Sequence, residues 1–529
     1  MSRRTAAALM ITRGEGRELT VFLAERAAEL RFFGGYAAMP GGTIAAEDFH
    51  AKPLTGDSSV DEANALQVCA HRELFEELGL LRHELPTERR ELAALTAQRQ
   101  ALLDHEALLA KTKGDGKEQS PSPWADIVAG AETPPPLRSL CRIETPAFAP
   151  VRYDTVFFHV PLETCIASTS GEGANLDADI WPGELTHGRF WSPKEALAAW
   201  RSGQLLLVPP VVIMLEHLAC AADFEKFAQS IAKTATGYQN GKLHHVRFSP
   251  GIVLAPLRTP TLPPATTTNC YIVGSQKLWI VDPGSPDPNE QQRLLDLLDE
   301  LTSNGQQLQG VLLTHHHPDH VGGVLALCEK RGLKAYGHAN TLKRIDAKIP
   351  RGDTIADGDR IELGSAPDGQ SDWHLEAIFT PGHDLGHLCF QDSRYEAMLV
   401  GDMASTISTI IIDPPEGHLA TYLKSLERVS GFALTTLYPA HGPAVRNGQR
   451  LIQKYVRHRR QREATLIKVL GEAPGTIDEL LPKVYWDADP RLYPYAARSL
   501  LAGLQKLDEE DRAHEQSGRW QLTDVGKQQ

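Results

Sequence analysis

One stretch decides the fold of the second half of this chain: VLLTHHHPDHVGGV, residues 311–324. An apolar strand runs up to Thr314 and a helix begins soon after it, so polar side chains fill the turn between them. His315 and His317 are two positions apart, and at the end of a strand they point to the same side. Asp319 and His320 are adjacent and diverge, which suits a second metal ion beside the first. Imidazole and carboxylate ligands together fit zinc best, and iron or manganese are the alternatives.

Three later segments repeat the same pattern of an apolar strand, a small or proline residue, and a residue that can bind a metal. They end at His383 (Thr380-Pro381-Gly382-His383), at Asp402 (Leu399-Val400-Gly401-Asp402) and at His441 (Leu437-Tyr438-Pro439-Ala440-His441). A single histidine-rich turn would be read as a solvated loop. Seven candidate ligands, all His or Asp, recurring at strand ends instead predict a site for two metal ions.

This set of residues resembles the ligand set of the metallo-β-lactamase superfamily over about residues 252–445. The resemblance implies an αββα sandwich with two zinc ions at the sheet edges and a water activated between them. It assigns His315, His317 and His383 to one ion, Asp319, His320 and His441 to the other, and Asp402 to both. Asp319 is also counted as a catalytic candidate. Segments 268–274, 282–284 and 439–443 are similar to the β-lactamase-like protein 2 group, which includes single-strand-specific ribonucleases, with glyoxalase II as near kin.

Composition places the chain among ordinary globular proteins. It has 529 residues, 42% hydrophobic and 23% charged, so we expect three or four domains. A net charge of −13 argues against nonspecific binding of nucleic acid over the whole surface. Seven scattered cysteines without a CxxC pair predict reduced core residues in a cytoplasmic protein. The longest apolar stretch, 205–222, contains prolines and charge, so no membrane span is predicted.

The first half carries a cluster of carboxylates on one predicted helix. Strands are predicted at 6–11 and 19–23, followed by a turn at Gly41-Gly42 where the backbone can approach another group closely. A helix is predicted from Ser59 to Leu80, ended by Gly79. Its residues Glu73, Glu76 and Glu77 stand at positions i, i+3 and i+4 and share one face. Three such carboxylates repel one another unless a cation joins them, and Mg²⁺ or Mn²⁺ suits oxygen ligands.

The string RELFEELGL, residues 72–80, resembles the core of the Nudix box, and Gly41-Gly42 resembles its opening. Asp48 stands where the box has Glu, and 23 residues, 49–71, lie between it and Arg72 in place of the usual seven. An interrupted box of this kind is similar to a Nudix branch that includes a peroxisomal coenzyme A diphosphatase of mammals, as are segments 152–158 and 191–197. The resemblance covers about residues 5–220. It implies an α/β/α sandwich and a nucleoside diphosphate substrate such as coenzyme A. It also implies a catalytic metal on Glu73, Glu76 and Glu77, with Gly41, Gly42 and Arg72 as supporting binding residues.

Three domains are therefore predicted: 1–235 with a helical insert at about 86–138, 245–445, and a winged-helix-like domain at 450–529. In the last, helices are predicted near 463–470, 476–484 and 495–508, before a strand at 520–522. Seven basic residues and no acidic one lie between 446 and 462. Those at 446, 450, 454 and 457 recur at helical spacing. This basic stripe indicates either a contact for single-stranded RNA or a solvated helix face.

Together these patterns predict a tandem metal-dependent hydrolase, in which the Nudix half cleaves a pyrophosphate bond and the zinc half a phosphodiester. The alternatives are a thioester or lactone hydrolase of the glyoxalase II type in the zinc half, or one half that only binds. We expect the halves to act independently, since each has its own metals and a proline-rich junction at 241–268 separates them. The sequence does not indicate an oligomeric state.

Overall fold

The computed structural model describes residues 3–30, 33–49, 62–82, 96–105, 124, 136–146, 148–149, 151–167, 180 and 184–528. It divides into two compact units: unit 1 is Met1–Pro146 with Val151–Lys242, and unit 2 is Ala147–Pro150 with Leu243–Gln529. Of the predicted insert at 86–138, residues 96–105 and Trp124 are helical and most of the rest lies outside the described residues. No helix in these described ranges is both long enough and apolar enough to cross a membrane.

Unit 1 is a seven-stranded mixed sheet with helices on both faces. Its strands are β1 (Arg3–Arg13), β2 (Thr20–Arg26), β3 (Ala37–Ala38), β4 (Gly41–Thr43), β6 (Arg138–Glu144), β7 (Arg152–Pro161) and β9 (Leu185–Trp191), while β5 (Leu80–Arg82) and β8 (Cys165–Ala167) pair separately. Its helices are α1 (Glu62–Leu78), α2 (Pro193–Arg201), α3 (Pro209–Cys220) and α4 (Phe224–Gln239).

The central strand β1 is buried on both sides because its side chains alternate between two apolar cores. Leu9 belongs to the core that contains α1, whereas Met10 belongs to the core that contains α2, α3 and α4. The parallel pairing of β1 with β7 continues from Arg3 to Thr12. The Nudix-type α/β/α sandwich follows from this two-sided burial.

Unit 2 contains two six-stranded sheets, each with its own apolar core. The first sheet holds β10 (Ile252–Arg258), β11 (Thr267–Val273), β12 (Lys277–Val281), β13 (Gln307–Leu312), β14 (Ala335–Gly337) and β15 (Arg351–Thr354). The second holds β16 (Arg360–Gly364), β17 (Trp373–Phe379), β18 (Leu388–Asp392), β19 (Ala397–Gly401), β20 (Thr436–Pro439) and β21 (Val445–Arg446). The helices of this part are α5 (Pro288–Thr302), α6 (Pro318–Val321), α7 (Val324–Arg331), α8 (Ala339–Arg344) and α9 (Leu419–Ser430). Leucines of α5 pack on the first sheet and α9 packs on the second, which gives the αββα order.

The C-terminal part of unit 2 has a third apolar core built from helices and a hairpin. It contains α10 (Gly448–Glu472), α11 (Ile477–Val484), α12 (Tyr493–Glu509), β22 (Ala513–Gln516), β23 (Arg519–Leu522) and α13 (Asp524–Gln528). Helices followed by an antiparallel β22–β23 hairpin form the winged helix arrangement.

Four local predictions were wrong. Leu80 is not helical, because Gly79 adopts a left-handed backbone (φ 64°) that ends α1. Gly41 and Gly42 lie in the short strand β4 rather than in a turn. The supposed junction at 241–268 contains β10, an edge strand that tolerates its internal proline.

The fourth error concerns the tail. The basic stretch and the predicted helix at 463–470 are one helix, α10, and Arg446 precedes it in β21. Asn447 caps α10 through its side chain, which accepts the N–H of Arg450 (3.3 Å). No proline interrupts the helix after this cap, so the change from basic to apolar composition does not break it.

Candidate functional site

The turn after β13 brings the ligand atoms of three histidines together. The Nε2 atom of His315 lies 2.9 Å from Nδ1 of His317, which in turn lies 3.1 Å from Nε2 of His383. Ring nitrogens that share a zinc ion at 2.0–2.1 Å stand about 3.3 Å apart. Burial lowers the pKa of His315 far below its usual value and that of His317 to about 3, so both rings are neutral at pH 7. These three rings form the first ligand group.

The second ligand group consists of Asp319, His320 and His441. The ligand atoms of these residues all lie within 4.8 Å of one another. The Nε2 atom of His441 is 3.4 Å from Oδ2 of Asp319, and Nε2 of His320 is 3.9 Å from the same oxygen. A carboxylate replaces one imidazole here, so this group is harder than the first.

Asp402 lies between the two groups and reaches both. Its Oδ2 atom is 3.4 Å from Nε2 of His383, and its Oδ1 atom is 3.4 Å from Nε2 of His441. Although burial opposes the charge, the surrounding histidines lower the pKa of Asp402 below its usual value. The structure thus brings together all seven residues that the sequence singled out, in the two groups implied by the resemblance.

The residues present fit divalent ions. Among the described atoms, Nε2 of His320 and Oδ1 of Asp402 are buried without a hydrogen-bond partner, although buried polar atoms are normally paired. Burial disfavours a charged ring at His320, but Asp319 and Asp282 outweigh that effect and raise its pKa to about 10. The surplus of negative charge therefore favours a cation at this point.

Asp282, to which the sequence analysis gave no role in the site, orients His320 from behind. Its Oδ2 accepts from Nδ1 of His320 (2.9 Å) and from the hydroxyl of Thr314 (2.6 Å), and its Oδ1 accepts the N–H of Thr314 (2.9 Å). The bond at Nδ1 assigns the tautomer that leaves Nε2 available as a ligand. In the sequence, the one signal for Asp282 was its position directly after β12.

Backbone carbonyls orient two further rings in the same way. Nδ1 of His383 donates to the carbonyl of Ile411 (2.9 Å), and Nδ1 of His441 donates to that of Thr267 (3.1 Å). Each contact leaves Nε2 of the ring facing the ligand group. Backbone acceptors carry no residue signature, so sequence reasoning could not identify them.

His387 supports Asp402 and was also missed. Its Nε2 atom accepts the N–H of Asp402 (3.1 Å), and its Nδ1 donates to the hydroxyl of Thr380 (2.8 Å). Burial, together with the nearby His383, lowers the pKa of His387 to about 3, which keeps Nε2 available as an acceptor. The signal in the sequence was a second histidine four residues after His383.

In unit 1, the guanidinium of Arg72 is the centre of the carboxylate cluster. It forms ion pairs with Asp48 (3.1 Å), Glu73 (3.1 Å) and Glu76 (2.7 Å), and Arg72 itself is 1% exposed. Asp48 contacts two guanidinium nitrogens at 3.1 Å each. Arg72 therefore orients two members of the predicted triad, Glu73 and Glu76.

The glycine pair contacts the other side of this cluster. The N–H of Gly41 donates to Oε2 of Glu77 (2.8 Å), and a Cβ on Gly42 would lie 2.1 Å from Oε1 of Glu73. Burial and the carboxylate of Glu73 raise the pKa of Glu77 well above its usual value. In the described residues, groups of three converging ligand atoms occur in unit 2, and the three glutamates do not form one. The repulsion that raises the pKa of Glu77 would be relieved by a cation.

Three residues of the basic stripe form contacts within the protein. Arg459 is 8% exposed and donates to the carbonyl of Ile410, while Arg460 pairs with Glu427 (2.9 Å) and Arg462 with Asp487 (2.9 Å). The exposed basic residues on α10 that remain at helical spacing are Arg450, Lys454 and Arg457.

Family models match three segments of the chain. Residues 263–441 match the Metallo-beta-lactamase superfamily, residues 476–520 the Beta-lactamase associated winged helix domain, and residues 1–100 the NUDIX domain. The chain therefore combines a Nudix domain with a metallo-β-lactamase domain and its associated winged helix domain. Both catalytic families consist of metal-dependent hydrolases, and this protein is a metal-dependent hydrolase.

Two curated relatives each match less than half of the chain. A beta-lactamase-like protein 2 homolog of Caenorhabditis elegans is 29% identical over 45% of this chain and 76% of its own length. An atrochrysone carboxyl ACP thioesterase of Aspergillus novofumigatus is 31% identical over 42% of this chain and 66% of its own length. A solved metallo-beta-lactamase family protein of Thermus thermophilus covers 52% of this chain and 99% of its own, at 22% identity and a TM-score of 0.43.

Proposed function

We propose that unit 2 hydrolyses a thioester and that unit 1 hydrolyses a pyrophosphate bond in a nucleoside diphosphate derivative such as coenzyme A. The observation that carries the first part is the pair of ligand groups joined by Asp402. Two zinc-class ions bound there would supply Lewis acidity and an activated water. The proposed ligands of one ion are His315, His317 and His383, those of the other are Asp319, His320 and His441, and Asp402 serves both.

Two features favour a thioester over a phosphodiester as the substrate of unit 2. A relative that shares this domain is named a thioesterase. Exposed leucines also stand on two loops of the site: Leu385 (40% exposed) follows His383, and Leu262 (41% exposed) precedes Thr267, whose carbonyl holds His441. Apolar side chains on these loops suit an acyl chain better than a ribose-phosphate backbone.

Single-stranded RNA is the second candidate because Arg450, Lys454 and Arg457 form an exposed basic row on α10. Phosphate contacts by such a row would make binding strongly dependent on salt. The engagement of Arg459, Arg460 and Arg462 in internal contacts leaves this row short. A row of three basic residues supports weak phosphate binding more readily than the tight binding of RNA that a nuclease needs.

A substrate panel on the full-length protein separates these candidates. The Glu77→Gln variant silences unit 1, so that hydrolysis of acyl thioesters and of a single-stranded RNA oligonucleotide is assigned to unit 2. We expect release of free thiol from the thioesters, and the loss of that activity in Glu77→Gln/His317→Ala. RNA cleavage without thioester cleavage would overturn the proposal for unit 2.

In unit 1, Glu73, Glu76 and Glu77 are the proposed ligands of Mg²⁺ or Mn²⁺, which would neutralise the phosphates of the substrate. Arg72, Gly41 and Gly42 hold these carboxylates in place. His317→Ala leaves this unit intact and serves as the background for its assay. Coenzyme A, ADP-ribose and NADH should be tested with added Mg²⁺, and an absence of monophosphate products from all three would refute the assignment for those substrates.

A further inference from the structure

The segment 403–413 follows Asp402 and holds the ring of His383. It contains no helix or strand, and the carbonyl of Ile411 within it accepts from Nδ1 of His383 (2.9 Å). Its internal hydrogen bonds lie at 405–408, where the N–H groups of Ile407 and Ser408 donate to the hydroxyl of Ser405, and none of those described involves Ile411. The position of His383 therefore depends on whatever fixes segment 403–413.

Side chains from the C-terminal helix α10 bind this segment at two places. The hydroxyl of Tyr455 accepts the N–H of Ser405 (2.8 Å) and donates to the carbonyl of Ser408 (2.7 Å). The guanidinium of Arg459 donates to the carbonyl of Ile410, directly before Ile411. Both helix residues are buried, Tyr455 at 6% and Arg459 at 8% exposed.

Helix α12 adds contacts on the other side of Ile411. The hydroxyl of Ser499 accepts the N–H of Ile412 (3.4 Å), and Arg498 forms an ion pair with Asp413. The C-terminal helices α10 and α12 thus bind the residues directly before and directly after Ile411.

Arg459 has an environment that stability alone does not explain. Its described contacts are the carbonyl of Ile410 and the side chain of Tyr422, whose ring centroid lies 5.4 Å away, and its Nε atom has no hydrogen-bond partner among the described residues. A buried cation without a carboxylate partner costs more free energy than an apolar side chain of the same size. This cost indicates that the hydrogen bond from Arg459 to the carbonyl of Ile410 has a role beyond stability.

We propose that Arg459 and Tyr455 are positioning residues for the metal ligand His383. They act through the carbonyl of Ile411, so that the C-terminal helices complete the metallo-β-lactamase site. This inference rests on the metal site of the proposed function and is independent of which bond that site cleaves. An orienting partner of a ligand typically changes metal affinity about 10- to 100-fold.

The test compares Arg459→Met with Arg460→Met in the full-length protein. Arg460 is its neighbour on α10 but pairs with Glu427 and does not contact segment 403–413. Binding of Co²⁺ to metal-free protein is followed by visible absorption, which reports ligand geometry at each site. We expect about tenfold or greater weakening of one of the two ions in Arg459→Met, an altered absorption band, and no change in Arg460→Met. Arg459→Lys keeps a donor and should recover part of the affinity.

A measurement of folding and a second variant allow the test to give a definite result. Circular dichroism establishes whether Arg459→Met is folded, and if it is not, Tyr455→Phe takes its place because it removes one hydroxyl and no charge. Wild-type affinity for both ions in the folded variant, or an equal loss in Arg460→Met, would overturn the inference. A protein that binds both ions as expected but cleaves no thioester would refute the proposed function and leave the positioning role intact.

Discussion

Replacing Asp282 by Asn should weaken one metal ion while preserving the fold. Asp282 adopts a left-handed backbone (φ 50°), a conformation that Asn tolerates as well as Asp does. An amide keeps one acceptor oxygen and turns the other into a donor. Because the carboxylate accepts from Nδ1 of His320 and twice from Thr314, no orientation of the amide satisfies all three donors.

The magnitude follows from the contact that is lost. If the oxygen of the Asn side chain accepts from the N–H of Thr314, its NH2 group faces Nδ1 of His320. The ring of His320 would then no longer be held with Nε2 toward Asp319. We expect about 10- to 100-fold weaker binding of the ion at His320, which corresponds to about 1.4–2.7 kcal/mol. The ion at His315 should bind with nearly unchanged affinity.

Calorimetric titration of the metal-free protein with Zn²⁺ measures both binding steps. Asp372→Asn is the matched control, since Asp372 has a similar backbone (φ 62°) but is exposed and contacts none of the seven proposed ligands. If Asp282→Asn bound both ions as tightly as the wild-type protein, the orienting role of this carboxylate would be refuted.

Other substitutions test the remaining parts. His383→Ala should lose one ion preferentially and Asp402→Ala should weaken both, as measured by metal content after dialysis. Glu77→Gln should abolish Mg²⁺-dependent diphosphatase activity and leave the thioesterase rate within about threefold, less than 1 kcal/mol of coupling; a larger fall would contradict independent units. Burial raises the pKa of Asp392 to about 6, above its usual value. The folded protein therefore loses stability as the pH rises from 4 to 6, because the unfolded chain ionises this carboxyl group more readily. In thermal unfolding, the stability of Asp392→Asn relative to the wild type should therefore be about 1 kcal/mol greater at pH 7.5 than at pH 5. A pH-independent difference would contradict this.

The seven proposed metal ligands could be singled out in the sequence because each follows a short local pattern. An apolar strand, a small residue and a histidine or aspartate stand next to one another in the sequence, as at His383 and His441. Their orienting partners could not be predicted in the same way. The contact between Asp282 and His320 joins residues 38 positions apart, and Ile411 contributes only a carbonyl.

Two of the wrong boundaries share one cause. At 446–472 and at 252–258, composition was given more weight than local stereochemistry. Basic and apolar stretches both suit one helix when no proline separates them, as in α10. A proline is compatible with a strand that lies at the edge of a sheet, as in β10.

The two ligand groups draw their orientation from different parts of unit 2. His383 is held by segment 403–413, which α10 and α12 support, whereas His320 is held by Asp282 and His441 by the carbonyl of Thr267. Loss of one support should therefore release one ion and not both. Asp402 is the exception, because its two oxygens face different groups and its N–H is fixed by His387. Cooperation between the two ions should accordingly pass through Asp402, and His387→Ala should weaken both ions although His387 is not one of the seven proposed ligands.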